Sequence, residues 1–194
     1  MSHEYKLSGQ FVDLRPLSKS DARLTLAWRT AHRARLLNAG ASTVKEQEEW
    51  ISSRPTSEIN FIIDTKESIP VGMLSLVAID KKNLHAESAR FLIGEEAAVK
   101  GLPVAVESMK LLYELAFDGL GLQRIYGTVA SENTLMIKWQ KYLGMQEEGR
   151  LRKHYFIDGK WQDAVILGLL IDEARKFSIP RMNGLIASAI KIKS

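Results

Sequence analysis

The sequence predicts an α+β fold with a central mixed, mostly antiparallel, twisted sheet of about seven strands flanked by helices. Three apolar segments between residues 60 and 93 follow one another with tight connections, which predicts an antiparallel meander. An amphipathic helix then separates the last of them from an apolar segment at 123–129, and this order predicts a parallel strand pair joined by a crossover. Asp158-Gly159, between two further strand segments, is typical of a two-residue hairpin turn.

Local signals place the other elements around this sheet. Thr43 and Glu46 have the spacing of a capping box, so a helix is predicted to begin there. The full predicted order is strand 11–17, helices 22–30 and 43–50, strands 60–64, 71–79 and 85–93, a helix from 103, strand 123–129, a helix from 131 or 133 to 144, and strands 151–157 and 161–171.

Two helices are predicted to bury one apolar face each. In the helix after residue 103 the apolar stripe consists of Ala105, Met109, Leu112 and Ala116, while Glu107, Lys110 and Glu114 are predicted to face solvent. In the helix that ends at residue 144 the predicted inward residues are Leu135, Trp139 and Leu143.

Bulk composition excludes several classes of protein. The 194 residues, 45% hydrophobic and 26% charged, are typical of a soluble globular domain. No cysteine is present, which excludes disulfides, thiolate zinc sites and cysteine nucleophiles. The four histidines lack ligand spacing, so no metal is predicted. No apolar run approaches the roughly 20 residues of a membrane span, and a cytoplasmic location without integral membrane association is expected.

The net charge of +4 comes from the C-terminal residues. Residues 175–194 hold five basic and no acidic residues, which leaves 22 basic and 23 acidic residues in 1–174. We therefore predict one domain at 1–174, a basic amphipathic tail at 175–194, and no nucleic acid as partner. The apolar stripe of that tail is compatible with a homodimer contact, an anionic membrane surface or a frayed terminus, and it comprises Leu185, Ile186, Ala189 and Ile190.

The segment from the third meander strand to the amphipathic helix has the features of an anion site. Pro103 suits a helix start, Gly101 allows a ligand to approach the backbone closely, and Lys100 adds a positive charge. Because helix starts expose unpaired N–H groups, a phosphate or pyrophosphate is the predicted ligand. An ordinary strand–loop–helix connection with a surface lysine remains the alternative.

Three segments together resemble the GNAT (Gcn5-related) N-acetyltransferases over about residues 10–172. They are AVKGLPVA at 98–105, SENTLMIKWQKYLGM at 131–145, and the closing hairpin LRKHY at 151–155 with WQDAV at 161–165. AWR at 27–29 and HAE at 85–87 are similar to the RimJ/RimL branch and its nucleotide-sugar N-acetyltransferases. The sequence departs from the family at Ala98, at Pro103 and at Gln140, which stands where many members have the tyrosine that protonates the thiolate. Tyr142, about 200° further around the helix, cannot replace it.

The resemblance implies acetyl-CoA as co-substrate and a primary amine, either of a small molecule or of a peptide N-terminus, as acceptor. A backbone N–H of Leu92 or Ile93 would polarise the thioester carbonyl. Asn133 would contact the pantetheine arm or cap its own helix. The CoA pyrophosphate would lie against the loop formed by Val99, Lys100, Gly101, Leu102, Pro103 and Val104.

Glu87 is the leading candidate for the base that removes a proton from the acceptor ammonium, and His32 is the second. Strand alternation places Glu87 on one face with His85, Ala89, Phe91 and Ile93. A solvated strand carboxylate and a surface histidine are the alternatives.

The sequence is compatible with more than one acceptor and with more than one set of acceptor contacts. An amine on a nucleotide-linked amino sugar, a protein N-terminus, and a CoA-binding module without efficient transfer are all compatible with it. Three arginines of the Arg-rich segment around His32 suit an anionic acceptor or a solvated face, namely Arg29, Arg33 and Arg35. His154 and Trp161 are candidates for the acceptor cleft, with cross-strand packing favoured.

Overall fold

In the computed structural model, which describes residues 5–37 and 40–191, eight strands form one sheet in the order β1-β2-β3-β4-β5-β6-β8-β7. Every neighbouring pair is antiparallel except β5 and β6, which run parallel. The strands are β1 Leu7–Ser8, β2 Val12–Pro16, β3 Ile59–Thr65, β4 Pro70–Asp80, β5 His85–Ile93, β6 Arg124–Ala130, β7 Gln146–Ile157 and β8 Lys160–Leu170.

Helices cover both faces of this sheet. The α-helices are α1 Ala22–Thr30, α2 Val44–Ser52, α3 Val104–Glu114, α4 Thr134–Tyr142, the short α5 Ile171–Glu173 and α6 Ile179–Lys191. Two π-helical turns, Leu115–Gly119 and Ala174–Ser178, follow α3 and α5, and three 3₁₀ turns occupy Lys19–Asp21, His32–Ala34 and Glu96–Val99. No helix among the described residues combines the length and apolarity needed to cross a bilayer.

Two apolar clusters hold the layers together. The main core joins one sheet face to α3 and α6, with Leu74, Ile125, Met109, Leu112 and Met182 all fully buried. A smaller cluster on the second face packs Trp28 of α1 against Ile62, Met73 and Leu92. Burial of each such large side chain stabilises the fold by about 1.5–3 kcal/mol.

The predicted fold class is confirmed, with the meander β3–β4–β5, the parallel pair β5–β6 and the closing hairpin at their predicted places. Asp158 and Gly159 have φ of 50° and 74°, and Ile157 pairs with Lys160, as a type I′ hairpin requires. The prediction missed β1, because a two-residue strand carries no periodic pattern.

The predicted N-cap of α2 is confirmed, since the Thr43 hydroxyl accepts the Glu46 N–H at 3.2 Å. The reciprocal half of the predicted capping box differs. The Glu46 carboxylate accepts the N–H and O–H of Ser42, both at 2.8 Å, and its interaction with the N–H of Thr43 is weaker. This carboxylate therefore extends the cap by one residue into the preceding turn.

The predicted inward face of α4 is wrong at its first turn. Leu135 is 80% exposed, whereas Leu143 is fully buried. Met136 and Ile137 pack against the main core instead, together with Trp139. The first turn of α4 thus contacts the core through Met136 and Ile137 rather than through Leu135, and Asn133 caps its start.

The C-terminal helix packs against the body of the protein. Ala174 and Met182 belong to the main core, and Ile186 is 8% exposed, whereas Ile190 remains exposed. A division at residue 174 stays a prediction, as does a homodimer. Lys193 of the predicted tail lies outside the described residues.

Glu107 was predicted to face solvent, and this prediction is wrong. Its side chain is buried in the first turns of α3, where the carboxylate accepts three backbone N–H groups from Gln10, Phe11 and Val12 at 2.7, 2.6 and 2.9 Å. Gly9 leaves room for this contact, because a Cβ there would lie 2.5 Å from the Glu107 Cδ. The carboxylate thereby joins α3 to the turn between β1 and β2.

We expect Glu107→Gln to lower the free energy of unfolding by about 3 kcal/mol, because hydrogen bonds to a charged acceptor are lost and an amide group then faces buried N–H donors. Chemical denaturation measures the difference. Glu114→Gln, on the same helix but paired with Lys110 at the surface, should cost less than about 1 kcal/mol. Equal losses for the two variants would contradict the anchoring role of Glu107.

Candidate active site

The candidate cleft lies where β5 and β6 separate. Their parallel pairing covers only three residue pairs, from His85–Arg124 to Glu87–Tyr126. Beyond this fork β6 continues along β8 as far as Ala130, and β5 continues along β4. The two strands enclose a cavity of about 320 Å³, whose walls also include residues of α1, α2, α4 and β7.

A bulge in β5 reshapes the edge that faces this cleft. Between the pairs Ser75–Ala89 and Met73–Leu92, two residues of β5 oppose one of β4, and Arg90 has φ of 56°. The bulge reverses the side-chain alternation beyond it. Phe91 and Ile93 therefore pack on the main core, and the prediction that they share a face with Glu87 is wrong.

The register beyond the bulge determines which backbone N–H group faces the open edge of β5. The Gly94 N–H donates to the Val71 carbonyl on β4 at 2.8 Å. Since hydrogen-bond direction alternates along an antiparallel pair, the Leu92 N–H is also directed to β4, and the Ile93 N–H points to the side that β6 has left. Of the two predicted donors, the geometry favours Ile93.

The loop before α3, residues 99–104, presents backbone N–H groups as hydrogen-bond donors, as its sequence suggests. We call it the donor loop. Gly101 has φ of 79°, and a Cβ there would meet nothing within 4 Å. The Leu102 N–H closes a turn onto Val99 at 3.0 Å, and the buried Val99 side chain anchors that turn. Pro103 occupies the N-cap position of α3, one residue before the helix begins at Val104.

The first helical N–H groups of α3 have no acceptor one turn back, and Glu107 is the first residue whose N–H bonds within the helix, to the Pro103 carbonyl at 2.9 Å. The preceding amides therefore have no acceptor within the helix, and the exposed Lys100 adds a positive charge beside them. Two nearby carboxylates are already engaged, because Glu95 accepts the Trp28 indole N–H and Glu96 pairs with Arg33.

Glu87 lies at the fork, at the last paired position of β5. Burial raises its pKa, and this outweighs hydrogen bonds from the Thr128 side chain and backbone and the charges of Arg90 and His154, all of which lower it. The carboxylate lines the cleft. A carboxylate with an elevated pKa in a cleft has the properties of a proton acceptor.

Tyr155 of β7 is a cleft residue that the sequence reasoning missed. Its hydroxyl donates to the Thr128 carbonyl at 3.3 Å, and its pKa is raised by burial and then by the charge of Glu87. Counting back in steps of two from the Asp158-Gly159 turn gives Ile157, which is buried, and then Tyr155. That alternation was the available signal.

An aromatic and cationic group forms the wall next to α2. The Arg90 guanidinium donates to Glu58 at 2.8 and 3.2 Å and to the Asn60 Oδ1 at 2.8 Å. Arg90 and Arg54 both stack on the Trp50 ring, at 4.9 and 4.3 Å from its centroid. Arg29 of α1 lines the same cavity.

Of the other predicted site residues, some line the cleft and others do not. Asn133 lines it and caps α4 by accepting the Met136 N–H at 3.3 Å. His32 is exposed at the start of its 3₁₀ turn and is absent from the cavity lining among the described residues. Trp161 is 60% exposed and packs on Phe156, its cross-strand partner, as favoured from sequence.

Gln140 and Tyr142 have contrasting environments at the end of α4. Gln140 is 5% exposed and lines the cleft, and its Oε1 has no partner among the described residues. It packs against Gly127, where a Cβ would lie 3.3 Å from that oxygen. Tyr142 is exposed and contacts Arg181, away from the cleft lining. The structure therefore agrees that Tyr142 does not replace a cleft tyrosine.

The sheet order, the fork between its parallel strands and the donor loop before α3 define an acyltransferase fold, and the comparisons agree. The model of the family described as "Acetyltransferase (GNAT) domain" matches residues 12–146, more than half of the chain. This chain belongs to that family. It is an acetyltransferase of the GNAT type, for which acetyl-CoA is the acyl donor.

Proteins with similar sequences are also named as N-acetyltransferases. The probable N-acetyltransferase YjcK of Bacillus subtilis is 25% identical over 84% of this chain and 96% of its own length. Spermidine N(1)-acetyltransferase of Escherichia coli is 31% identical, but the match covers only 56% of each protein. The chain thus spans just over half of that curated relative.

Solved structures share the fold. A GCN5-related N-acetyltransferase from Brucella melitensis superposes with a TM-score of 0.80 at 22% identity, covering 95% of this chain and 86% of that one. The spermidine N-acetyltransferase SpeG from Vibrio cholerae gives 0.74 at 24% identity, covering 86% and 96%. Within the described residues no group of three or more His, Asp or Glu side chains is placed to hold a metal ion.

Proposed function

We propose that this protein transfers an acetyl group from acetyl-CoA to a primary amine and that Glu87 accepts the proton of the acceptor ammonium. The observation that carries this proposal is the position of Glu87 at the fork. Among the described residues it is the one acid that lines the cleft, and burial raises its pKa. A neutral amine is required for attack, so a proton acceptor at this point has a direct chemical role.

The donor loop and the open edge of β5 would hold the two ends of acetyl-CoA, which supplies a thioester as the activated acyl group. The amides at the start of α3, with Lys100 and Gly101, would bind the diphosphate. The Ile93 N–H would donate to the thioester carbonyl and stabilise the charge that develops on its oxygen. Asn133 would contact the pantetheine arm while it caps α4.

Glu87 and its neighbours would then perform the proton transfer. The Glu87 carboxylate takes one proton from the ammonium, directly or through water, and becomes a neutral acid. The released lone pair attacks the acyl carbon, the carbon–sulfur bond breaks, and the CoA thiolate leaves. The nitrogen loses its second proton as the amide forms, and that proton converts the thiolate into the free thiol of CoA. Thr128 donates hydrogen bonds to Glu87 and so orients the carboxylate.

The acceptor is the finer part of the proposal. The relatives from Escherichia coli and Vibrio cholerae are named as spermidine acetyltransferases. We propose that the acceptor here is likewise a primary alkyl amine. A nucleotide-linked amino sugar and a protein N-terminus are the two other acceptors that we propose to test. A CoA-binding module without transfer is the competing function, and the unpartnered Gln140 in place of a tyrosine motivates it.

Titration with acetyl-CoA, followed by detection of free thiol over a panel of amines, tests the proposal. Binding with amine-dependent release of CoA supports the transferase. Binding without release for every amine favours the module, and absence of binding contradicts both.

We expect Glu87→Gln to lower kcat by about 10²–10⁴-fold, because the amide cannot accept a proton. Acetyl-CoA affinity, measured by calorimetry, should stay within about twofold, since Glu87 does not contact the donor loop. Glu49→Gln on the exposed face of α2 is the matched control and should change neither quantity. Unchanged turnover of the Glu87 variant at every pH would contradict the role of Glu87.

The rate should also depend on pH through Glu87. Only the ionised carboxylate accepts a proton, so kcat/KM should fall as the pH is lowered through a pKa above the ordinary value of 4.5. The titratable and charged groups that interact with Glu87 are Arg90, His154, Tyr126 and Tyr155, and the two tyrosines are neutral because their pKa values are raised. The acid limb should be absent in Glu87→Gln, and its survival there would assign it to another group.

We expect Gly101→Ala to weaken acetyl-CoA binding by about tenfold, because φ of 79° is strained for alanine and the amides of the loop then shift. Gly159→Ala is the matched control, since Gly159 has φ of 74° and an equally open surrounding. Both variants should lose about 1 kcal/mol of stability. Equal acetyl-CoA affinities in the two variants would contradict binding at the donor loop.

A further inference from the structure

Two protons move in the proposed transfer, and Glu87 accounts for one of them. When the carbon–sulfur bond breaks, the sulfur of CoA leaves as a thiolate, and an acid that gives it a proton favours the cleavage. Glu87 enters the reaction as a carboxylate and takes up the first proton of the ammonium, so it is not the donor for this step. Gln140 lines the cleft, but its amide is not an acid. A second proton donor in the cleft would therefore serve the reaction.

Tyr155 is the one neutral acid in the lining of the cleft among the described residues. The lining also holds two arginines, whose guanidinium groups keep their protons, and the hydroxyls of Ser88 and Thr128, which are much weaker acids than a phenol. Burial and then the charge of Glu87 raise the pKa of Tyr155. Its phenol therefore still carries a proton at pH values at which Glu87 has lost its own.

An irregular segment of β7 presents Tyr155 to the cleft. The register shifts between Leu151 and Tyr155, where β7 has two more residues than the facing stretch of β8. Lys153 in this bulge has φ of 51°, and its N–H donates to the Asp163 carboxylate at 2.9 Å. The His154 ring packs edge-on against the Tyr155 ring, with centroids 4.6 Å apart. The bulge and this ring contact fix the strand from which the phenol reaches the cleft.

Thr128 of β6 joins Tyr155 to Glu87. Its N–H and its hydroxyl donate to the Glu87 carboxylate, and its carbonyl accepts the Tyr155 O–H at 3.3 Å. Because the N–H and C=O of one residue in an extended strand point to the same edge, both contacts lie at the edge of β6 that faces the fork. An ordinary O–H···O bond is about 2.7–2.8 Å long, so the phenol loses little when it turns from this carbonyl to a ligand.

We propose that Tyr155 is a further catalytic residue, which donates its phenolic proton to the CoA sulfur as the carbon–sulfur bond breaks. This inference rests on the proposed function, since it concerns one step of the same transfer. The phenolate oxygen takes the second proton of the nitrogen as the amide forms, so Tyr155 is restored and CoA leaves as the free thiol. Glu87 keeps the first proton and releases it to solvent after the products leave.

The raised pKa of Tyr155 suits a relay of this kind. A phenol is a weaker acid than a thiol, whose ordinary pKa is about 8.5, so transfer to the sulfur alone would be uphill. The nitrogen bound to the acyl carbon is positively charged and gives up its proton readily, so the two transfers together are downhill. One proton enters the phenol as another leaves it, and the phenolate does not accumulate.

Tyr155→Phe removes the hydroxyl and keeps the ring. With acetyl-CoA and the most reactive amine of the panel, we expect kcat to fall by about 10²-fold or more, because the thiolate then leaves without a proton donor. Acetyl-CoA affinity, measured by calorimetry, should stay within about twofold. The melting temperature should fall by at most about 4 °C, since one long hydrogen bond is lost. Tyr142→Phe, at an exposed tyrosine outside the cleft lining, is the matched control and should change none of these quantities.

Replacement of Tyr155 by 3,5-difluorotyrosine separates proton transfer from packing, because it keeps the hydroxyl and makes it more acidic. The titratable and charged groups around this phenol are Glu87 of β5, His154 of β7, and the two arginines of the cavity wall, Arg29 and Arg90. The wild-type phenol ionises above its ordinary pKa of 10.0, so kcat should persist to alkaline pH. The fluorinated enzyme should lose kcat at a lower pH, while the acid limb that belongs to Glu87 stays in place.

The outcomes distinguish this step from the transfer as a whole. A large loss of kcat in Tyr155→Phe together with the shifted alkaline limb supports the relay. If the wild-type protein transfers acetyl groups but Tyr155→Phe retains kcat within about twofold, the role of Tyr155 is overturned and the proposed function stands. Equal pH profiles of the wild-type and fluorinated enzymes would overturn it as well, whatever the effect of Tyr155→Phe. Absence of amine-dependent CoA release from the wild-type protein would overturn the proposed function and this step with it.

Discussion

The separation of β5 from β6 is the constraint on which the rest of this structure depends. Backbone groups inside a sheet need partners, and the fork removes them from one edge of β5 beyond Glu87. Helix α4 occupies the fork from one side: Trp139 stacks on Phe91 with ring centroids 5.1 Å apart, and Gln140 packs against Gly127. The packing of α4 therefore keeps this edge of β5 open. Its backbone amides are available to a ligand where β6 would otherwise pair.

Much of this architecture could be predicted from sequence because it follows local rules. Strand alternation, the Asp158-Gly159 turn and the helical stripes lie within short windows, and the elements that they predict are present. The left-handed backbone conformation of Arg90 could not be predicted in this way, because no glycine occupies the position. What holds it there, Glu58 and Asn60, lies about 30 residues away.

The errors at Glu107 and at Ile93 have different physical causes. The partners of Glu107 are the backbone amides of residues more than 90 positions earlier, so a helical periodicity alone assigns it to solvent. The face of Ile93 was inferred by counting in steps of two, which fails as soon as a bulge inserts one residue. For the candidate site, sequence predicted the acid at the fork and the donor loop, whereas Tyr155 and the place of Arg29 in the cavity wall required the fold.

The pairing of Arg90 also bears on the chemistry of Glu87. An uncompensated guanidinium beside a base would stabilise its ionised form and lower its affinity for a proton. Burial alone would raise the pKa of Glu58, but its hydrogen bond and charge interaction with Arg90 hold that pKa below its usual value, so Glu58 stays ionised and offsets Arg90. Glu87 can then keep the elevated pKa that burial gives it. Glu58, which precedes β3 and lies outside the cleft lining, thus pairs with the cation that lowers the pKa of Glu87.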